Sequence, residues 1–332
     1  MRAKRSRAIR VGIVGAGICG LAAARSLKQG GHEVVVFEKS RGVGGRIATR
    51  RQDGFVWDTG ATSFAPRGRT LESVMLSELD TSDLVTLDKA IYIHNGLRPM
   101  ASDHRPAGLR YTYRSGNTKL PKLLAAETDV RLSTHIDELE RAGDGFRIGG
   151  EGFDALILTA PIPQSSLLLW GIGESRPTAN AKYRACISVN VGYHVELPPT
   201  KYHALLDPEQ RHPLNWLSLE SVKSPDRAPA GGSALGAQLG PAFSLEQYDT
   251  PDAELVDIVG SFLAQLYGPA FREPVSSSVK RWKYAQPVGY ASFEEVNPEG
   301  SRLILASDAL LGGRVEEAYE VGLRAANLLL AR

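Results

Sequence analysis

Cysteine is scarce in this chain, which has two, Cys19 and Cys186, among 332 residues. Two cysteines without a CxxC pair exclude a disulfide framework and favour a reducing compartment, so a cytoplasmic location is predicted. No uninterrupted apolar run reaches the roughly 18 residues of a membrane span, so no membrane association is expected. The basic leader over residues 1–10 is followed only by the apolar segment of the first predicted strand, so a disordered or fraying tail is predicted.

An excess of charge of one sign is also missing. The net charge of +2 and the lack of a basic stripe with interleaved aromatics argue against nucleic acid or another polyanion as a partner. The seven histidines are scattered, with no His-x-x-x-His or Cys/His cluster, so no metal site is predicted. A Gly-x-Ser-x-Gly turn, which would indicate a catalytic nucleophile, is missing too. These absences favour chemistry supplied by a bound organic cofactor, which needs neither group.

A dinucleotide-binding pattern lies near the start of the chain. It consists of a β-branched strand, the turn Gly15-x-Gly17-x-x-Gly20, a helical segment and a second strand that ends at Glu38. Gly15 permits the tight turn, Gly17 lets the backbone approach a diphosphate, and Gly20 lets the helix pack closely on the strand. Ile18 lies where the helix N-terminus offers free N–H groups, and Glu38 is placed to accept ribose hydroxyls. The unit alone leaves open whether the ligand is NAD(P) or FAD.

The next residues, 38–46, are dense in glycine and arginine. A nicotinamide dehydrogenase needs only the acid at this point. Closely spaced glycines with guanidinium groups instead favour a backbone wrapped around a longer ligand, although a basic, flexible loop is the alternative. The predicted cofactor-binding residues here are Lys39, Arg41, Gly45 and Arg46.

The stretch over residues 38–46 resembles the signature of FAD oxidoreductases of the flavin amine oxidase superfamily, and residues 47–51 bring it closest to the renalase branch. The resemblance is strongest over residues 10–64, 280–288 and 303–325. It implies a tightly held FAD and an α/β fold. A Rossmann-type FAD-binding domain of the glutathione-reductase or amine-oxidase kind is joined to an α+β substrate domain built on an antiparallel or mixed sheet. The predicted bounds are 8–75, 115–165 and 290–332 for the FAD-binding domain, and 76–114 and 166–289 for the substrate domain.

Hydrophobic patterning predicts the main elements of both domains. The near-continuous apolar run over residues 153–161 is typical of a central parallel strand. A helix is predicted to begin with Thr250 as N-cap and Pro251 at its first position, and an amphipathic helix to end near Leu330. Three further segments predict a half-buried antiparallel sheet: 186–196, 214–219 and 233–239.

The resemblance also implies roles for residues outside the first turn. In the family, a segment like Gly60, Ala61 and Thr62 passes close to the flavin ring, which small residues permit; a simple turn is the alternative. Phe64, at the end of this segment, is a pocket candidate. The backbone of Val130 would meet the adenine.

A second cofactor-binding segment is predicted near the C-terminus, where a strand is followed by an acid and by a glycine pair that opens a helix. Asp308 is expected to accept hydrogen bonds from the ribityl hydroxyls or nearby amides. The helix start at Arg314 and Val315 is expected to face the O2–N1 edge of the flavin. The family more often has an aromatic residue where Ala309 stands, a difference that concerns the substrate pocket more than FAD binding. Because no cysteine lies nearby in the sequence, non-covalent FAD is predicted.

Trp282 and Tyr284 alternate with basic residues on a predicted strand over residues 280–287, so both would face the same way. They are predicted to form an aromatic wall that holds a planar substrate against the flavin, although ordinary core packing is the alternative. The similarity to an Arg-Trp-x-Tyr-Ala-x-Pro stretch in renalase-like proteins favours the pocket.

These features together predict an FAD-dependent oxidase that takes a hydride from a small planar substrate and passes the electrons to O2, giving H2O2. By resemblance, the substrate is an isomeric dihydro-NAD(P), which makes a nicotinamide dinucleotide the expected small-molecule partner. The alternative is an amine oxidase, or a flavin-dependent dehydrogenase or desaturase, acting on another small molecule. A non-catalytic scaffold with the same fold is a third hypothesis, disfavoured by the intact Gly45, Arg46 and Asp308.

Overall fold

The structure is a computed structural model that describes residues 8–102 and 108–331. Residues 1–7 of the predicted tail lie outside the described residues. The strands are β1 Arg10–Val14, β2 Glu33–Phe37, β3 Thr49–Gln52, β4 Phe55–Asp58, β5 Leu84–Leu87, β6 Ala90–His94, β7 Pro99–Met100, β8 Arg110–Tyr113, β9 Asp129–Arg131, β10 Glu140–Ala142, β11 Gly145–Ile148, β12 Glu151–Phe153, β13 Ala155–Leu158, β14 Tyr183–Tyr193, β15 Tyr202–Leu206, β16 Leu214–Leu219, β17 Ser233–Leu239, β18 Ser276–Pro287 and β19 Leu303–Leu305.

The α-helices are α1 Ile18–Gln29, α2 Thr70–Ser73, α3 Lys119–Leu124, α4 Ile162–Gly171, α5 Glu220–Lys223, α6 Pro241–Glu246, α7 Asp252–Tyr267, α8 Phe293–Val296 and α9 Val315–Leu330. A π-helical turn, Val74–Glu78, continues α2, and short 3-10 turns cover Gly45–Ile47, Pro225–Arg227, Pro269–Phe271 and Asp308–Leu310. Among the described residues, no helix combines the length and the apolar character needed to cross a membrane.

The first sheet is parallel, with strand order β19-β13-β1-β2-β9. All four residues of β13 are buried, and this strand pairs with both β1 and β19, so the predicted central strand is confirmed. Because the strands are parallel, their carboxyl ends meet at one edge of the sheet. Gly15 and Glu38 follow β1 and β2 there, while Thr159 and Asp308 come just after β13 and β19. Residues widely separated in the chain are thereby brought to one place.

The second sheet has seven strands in the order β18-β14-β17-β16-β15-β6-β7 and is antiparallel except for the parallel pair β15–β6. The predicted strands over residues 214–219 and 233–239 match β16 and β17. Helix α7 packs on this sheet through Leu255, Val259 and Leu263, which are fully buried. It begins at Asp252 with Pro251 as N-cap, so the prediction of Thr250 as N-cap is wrong: the Thr250 hydroxyl bonds to the Gln247 side chain instead.

The segment predicted to open the substrate domain is divided between the two sheets. Strands β6 and β7 join the seven-stranded sheet, while β5 and β8 form a separate antiparallel pair. Tyr111 and Tyr113 of β8 are buried in the core beneath the parallel sheet, as is Phe64. Strands β5 and β8 pack on the side of the parallel sheet, although the predicted substrate domain includes both. The domain bounds stay a prediction.

His203, on β15, is held neutral by its surroundings. Its side chain is buried, and Nδ1 lies 2.7 Å from the carbonyl oxygen of Lys89, so Nδ1–H donates to that oxygen. Nε2 has no hydrogen-bond partner among the described residues. Burial lowers the pKa of His203 from 6.5 to about 4.

We expect this histidine to make the fold acid-sensitive. As the pH falls from 6.5 to about 4, the unfolded chain binds a proton that the native protein does not. The free energy of unfolding therefore decreases by up to about 3 kcal/mol over that pH range. Above pH 6.5 the effect is absent. His203→Asn, whose amide can still donate to Lys89, should remove it. Urea unfolding of both proteins at about pH 7.5 and about pH 4.5 measures the difference, and equal pH dependence would contradict the prediction.

Candidate functional site

A cavity of about 1060 Å³ opens at the carboxyl edge of the parallel sheet and extends along β18 of the second sheet. Its walls come from the start of α1, the loop after β2, the turn Gly45–Ile47, strand β18 and the start of α9. Drug-sized ligands occupy cavities of roughly 300–1,000 Å³. The cavity is thus large enough for an extended ligand with a second molecule beside it.

The three glycines of the first turn are required for different reasons. Gly15 has φ +109° and donates its N–H to the carbonyl oxygen of Phe37 at 2.8 Å. A Cβ on Gly20 would lie 2.0 Å from the carbonyl oxygen of Gly15, so only glycine lets α1 start this close to β1. A Cβ on Gly17 would meet nothing within 4 Å and would project into open space beside the cavity. Gly15 and Gly20 are therefore needed by the backbone, whereas Gly17 keeps free the space in which a ligand is predicted to lie.

Glu38 lies at the carboxyl end of β2 on the cavity wall. Its Oε2 accepts the Ala16 N–H at 2.9 Å and its Oε1 accepts the Ser40 N–H at 2.8 Å. These two bonds fix the carboxylate, which keeps further lone pairs for hydroxyl donors. The arrangement fits a ribose at this end of the cavity.

Arg46 links the two predicted cofactor-binding segments. Its Nη1 lies 2.6 Å from Oδ2 of Asp308 and 3.4 Å from the carbonyl oxygens of Tyr284 and Ala285. The guanidinium also lies 5.9 Å from the ring centre of Tyr183. The strongest of these contacts joins residues 262 positions apart in the chain. Cofactor binding by Arg46 stays a prediction, beside the structural role that these contacts show.

Helices α1 and α9 pack directly against each other, and both begin at the cavity. Gly322 makes this possible, since a Cβ there would lie 2.2 Å from the carbonyl oxygen of Cys19. Arg314 is the N-cap of α9, and its N–H donates to Glu317 Oε2 at 2.8 Å. Gly17, Ile18, Arg314 and Val315 all line the cavity. Two positive helix ends therefore face one space.

Gly322→Val is expected to push α9 away from α1 and to misalign the two helix ends. Overpacking of this kind costs about 1–3 kcal/mol. Thermal unfolding and the flavin-to-protein ratio of the purified variant measure the effect. Gly171→Val is the control, because a Cβ on that helical glycine meets nothing within 4 Å. Equal behaviour of the two variants would contradict the role given to Gly322.

Buried charged side chains bind both ends of the loop of residues 58–62. The side chains of four residues are at most 1% exposed: Asp58, Glu220, Lys223 and Arg227. Arg227 Nη1 lies 2.6 Å from Asp58 Oδ2, and Lys223 Nζ donates to the carbonyl oxygen of Thr62 at 2.6 Å. Burial by itself would raise the pKa of Asp58, but Arg227 and Lys223 outweigh it and leave that pKa below its usual value.

The same loop has a second anchor on its cavity side. Ala61 donates its N–H to the carbonyl oxygen of Arg46 at 3.0 Å, and Gln238 donates to the carbonyl oxygen of Gly60 at 2.5 Å. A Cβ on Gly60 would lie 1.9 Å from the Arg46 carbonyl oxygen, so glycine is needed for this contact whatever ligand lies beside it. Gly60 and Ala61 line the cavity.

Three aromatic side chains stand along β18 and β14. Trp282 donates its Nε1–H to the carbonyl oxygen of Thr59 at 2.8 Å, which fixes the indole beside the loop of residues 58–62. Tyr284 meets Tyr183 edge-on, with ring centres 5.6 Å apart. Trp282 and Tyr284 are half-buried and line the cavity. Burial and the nearby Asp308 raise the pKa of Tyr183 to about 12, and its hydroxyl lies 2.9 Å from the Ser307 hydroxyl.

Comparison with known proteins agrees with this arrangement. A family model described as "Flavin containing amine oxidoreductase" matches residues 18–97 and 77–330, which together span most of the chain. The chain belongs to the flavin-containing amine oxidoreductase family.

Solved structures of other proteins share the fold of this chain. Putrescine oxidase bound to putrescine has a TM-score of 0.75 at 16% identity, over 98% of this chain and 100% of that one. Cyclohexylamine oxidase from Brevibacterium oxydans IH-35A has a TM-score of 0.74 at 13% identity, over 98% of this chain and 99% of that one. The predicted α/β fold, with its parallel Rossmann-like sheet and mixed second sheet, is confirmed.

A curated relative matches only a short part of the chain. The 4,4'-diapophytoene desaturase of Staphylococcus aureus (strain Newman) is 46% identical over 54 residues, which are 16% of this chain and 11% of the desaturase. The chain thus spans about a tenth of that relative's length.

Several residues predicted for the site lie away from the cavity. Phe64, predicted as a pocket wall, is 1% exposed and packs edge-on against Tyr113 in the core, with ring centres 6.1 Å apart. Val130 lies within β9, paired with Val36. Arg41 and Thr62 are likewise not among the residues that line the cavity, and Gly20 acts through the backbone packing already described.

The cavity also has walls that the patterns did not indicate. Residues 134–137, just after β9, line its α1 end in place of Val130, and Arg184, Gln238 and Tyr248 line the other end. Their signals are weak because these residues lie in loops or on strands whose register was not predictable. Tyr183 was likewise missed, since it reaches the site only through the pairing of β14 with β18.

Both cysteines line the cavity. Cys19 lies closer to the C-terminal segment than the sequence indicated, since its Sγ is 3.2 Å from the carbonyl oxygen of Ala306. Burial raises the pKa of Cys19 far above its usual range and that of Cys186 to about 11. Burial therefore favours the protonated, weakly nucleophilic form of both thiols near neutral pH.

Proposed function

We propose that the protein is an FAD-dependent oxidoreductase that holds its cofactor non-covalently and oxidises a small planar donor. The observation that carries this proposal is the pair of helix ends, of α1 and α9, lining one cavity with open space at Gly17. A positive helix end suits a diphosphate at one side and a negatively charged ring edge at the other. When bound, FAD supplies the hydride acceptor.

The chain's own residues fit such a cofactor. Gly17 leaves room for the diphosphate, since a Cβ there would meet nothing within 4 Å, and Gly45 lies beside it, since a Cβ on Gly45 would lie 3.7 Å from the Gly17 Cα. Glu38, fixed by two backbone N–H groups, has lone pairs free for ribose hydroxyls. Asp308 holds Arg46 at one edge of the cavity, and the start of α9 stabilises negative charge that develops near it.

Among the described residues, the part of the cavity formed by the second sheet lacks a histidine or a carboxylate that could act as general base. An amine donor would therefore have to arrive deprotonated, and its rate of flavin reduction should rise with pH towards the donor's own pKa. A dihydropyridine donor needs no base, so its rate should be nearly independent of pH.

Two classes of donor remain candidates. An amine, or a C–C bond to be dehydrogenated, is supported by membership of the amine oxidoreductase family and by the likeness to putrescine and cyclohexylamine oxidases. Isomeric dihydro-NAD(P), the substrate implied by the resemblance to the renalase branch, is supported by one observation of its own. The cavity wall beside Trp282 and Tyr284 is rich in cations and lacks carboxylates, which suits a dinucleotide better than a protonated amine.

Anaerobic stopped-flow reduction of the purified holoprotein separates these donors. Bleaching of the flavin absorbance by isomeric dihydro-NAD(P), with no effect of amines, would support the renalase-like activity. Bleaching by amines alone would support the amine oxidase activity. A protein that purifies without flavin, or a flavin that no donor reduces, would overturn the proposed function.

O2 is the proposed electron acceptor: the hydride taken from the donor, together with one proton from the donor or, for a dihydropyridine, from solvent, reduces O2 to H2O2. Admitting oxygen after anaerobic reduction should restore the oxidised spectrum and release one H2O2 per donor consumed. Slow reoxidation without H2O2 would instead indicate a dehydrogenase with another acceptor.

A further inference from the structure

The charges around the cavity are divided unevenly between its two ends. The acids that line it, Glu38, Asp137 and Asp308, all come from the side of the parallel sheet. Asp308 is already paired with Arg46 at 2.6 Å. Along the second sheet the lining contains four cations and, among the described residues, no carboxylate: Arg184, Lys280, Arg281 and Lys283. The substrate end of the cavity is therefore electropositive.

Three of these four cations lack an acidic partner. Arg281 is neutralised, since its Nη1 lies 2.6 Å from Asp252 Oδ1. Arg184 makes no ion pair within the described part of the chain, and its Nη2 donates to the side-chain carbonyl of Gln286. Lys280 and Lys283 are exposed, and their ammonium groups lie 5.0 Å and 5.8 Å from the ring centres of Trp282 and Tyr284. Two free cations thus lie beside the aromatic wall, and the third, Arg184, lines the same cavity.

Arg184 lies opposite a β-bulge at the cavity. The register between β14 and β18 shifts between Arg184 and Cys186, and all three residues from 184 to 186 line the cavity. Bulges next to active sites commonly redirect a side chain. Lysines on an edge strand such as β18 can serve simply to prevent pairing with another sheet. Arg184 lies on β14, which is an inner strand, so this explanation does not apply to it.

We propose that the donor carries an anionic group, a carboxylate or a phosphate, which binds Arg184 together with Lys280 and Lys283 while the planar part of the donor lies against Trp282 and Tyr284. The proposal rests on the proposed function and specifies its substrate class. A guanidinium fork matches the paired oxygens of either anion, and the two lysines add unpaired charge beside it. A protonated amine would meet repulsion there and no carboxylate.

Titration of the oxidised holoprotein with three aromatic probes of similar shape tests this inference. Benzoate is expected to perturb the flavin absorbance with a Kd at least about tenfold below that of neutral benzamide, because a charge-assisted pair is worth about that factor. Benzylamine should bind more weakly still, and added salt should weaken benzoate selectively. Equal binding of benzoate and benzamide, or tighter binding of benzylamine, would overturn the proposal.

Variants assign the effect to the named residues. Arg184→Gln should remove most of the preference for benzoate over benzamide, and Arg184→Lys should restore part of it. Arg211→Gln is the control, because that side chain is 83% exposed and does not line the cavity. An unchanged preference in Arg184→Gln would contradict the role of this residue.

Competition identifies the anion. Displacement of benzoate by inorganic phosphate at lower concentration than by acetate would indicate a phosphate-bearing donor, and the reverse order a carboxylate. Displacement by neither would overturn the anion site. The titration needs no turnover, so the two proposals fail separately. Failure of every donor to reduce the flavin overturns the proposed function. Equal binding of the probes overturns only the anion site.

Discussion

Gly17→Val is expected to give a folded protein that retains almost no flavin. The backbone at Gly17 has φ −76°, which valine adopts without strain, and a Cβ there meets no atom within 4 Å. The side chain would therefore leave the protein's own packing intact and occupy the space beside the helix end where a diphosphate is proposed to lie. A steric conflict worth about 3 kcal/mol weakens binding about a hundredfold.

The flavin-to-protein absorbance ratio after purification measures this loss, and circular dichroism and thermal unfolding show whether the variant is folded. Gly20→Val is the matched comparison, because its Cβ would lie 2.0 Å from the Gly15 carbonyl oxygen. We expect that variant to be destabilised as well as depleted of flavin. Full flavin content in Gly17→Val would refute the assignment of the first turn to the cofactor.

The first βαβ unit, which contains Gly17 and Gly20, was predictable from the sequence. Its signals are local: a strand, three glycines at fixed spacing, a helix and a terminal acid lie within about 30 residues. The C-terminal segment was predictable for the same reason, since Asp308 precedes a helix with an apolar stripe that ends at Leu330 as expected. Where the pattern and the backbone geometry fall within one supersecondary unit, the sequence predicts the structure well.

Contacts between distant segments were not predictable. Nothing local indicates that Arg46 pairs with Asp308, that Tyr183 packs on Tyr284, or that Arg184 lines the cavity. A one-residue register shift reverses the facing of a strand, so alternation alone does not show which side chains of β18 meet a ligand. Phe64 illustrates the opposite error, because an aromatic residue next to a predicted flavin contact packs into the core instead.

Arg227→Met is expected to destabilise the protein by about 3–5 kcal/mol, the cost of removing one partner from a buried ion pair. The guanidinium lies 2.6 Å from Asp58 and donates 2.8 Å to the Thr112 hydroxyl, with its side chain 0% exposed. Its removal leaves Asp58 and Glu220 buried with Lys223 as the remaining cation. Because Asp58 begins the loop of residues 58–62, the loss should also loosen Gly60 and Ala61 at the cavity wall.

Urea unfolding of the purified holoprotein gives the size of this effect, and Arg114→Met provides the control. The Arg114 side chain is 54% exposed and 3.7 Å from the exposed Asp226, so its loss should cost less than about 1 kcal/mol.

The pH dependence gives an independent test of the same pair. A carboxylate with a lowered native pKa contributes stability that is complete above the ordinary carboxyl pKa and is lost as the pH falls through the native value. Without Arg227, the pKa of Asp58 in the native protein rises towards or above its value in the unfolded chain, so the variant should lose less stability than the parent protein as the pH falls below the ordinary carboxyl pKa. A variant as stable as the Arg114→Met control, with the parent's acid-dependent loss of stability, would show that the buried charges do not hold the loop.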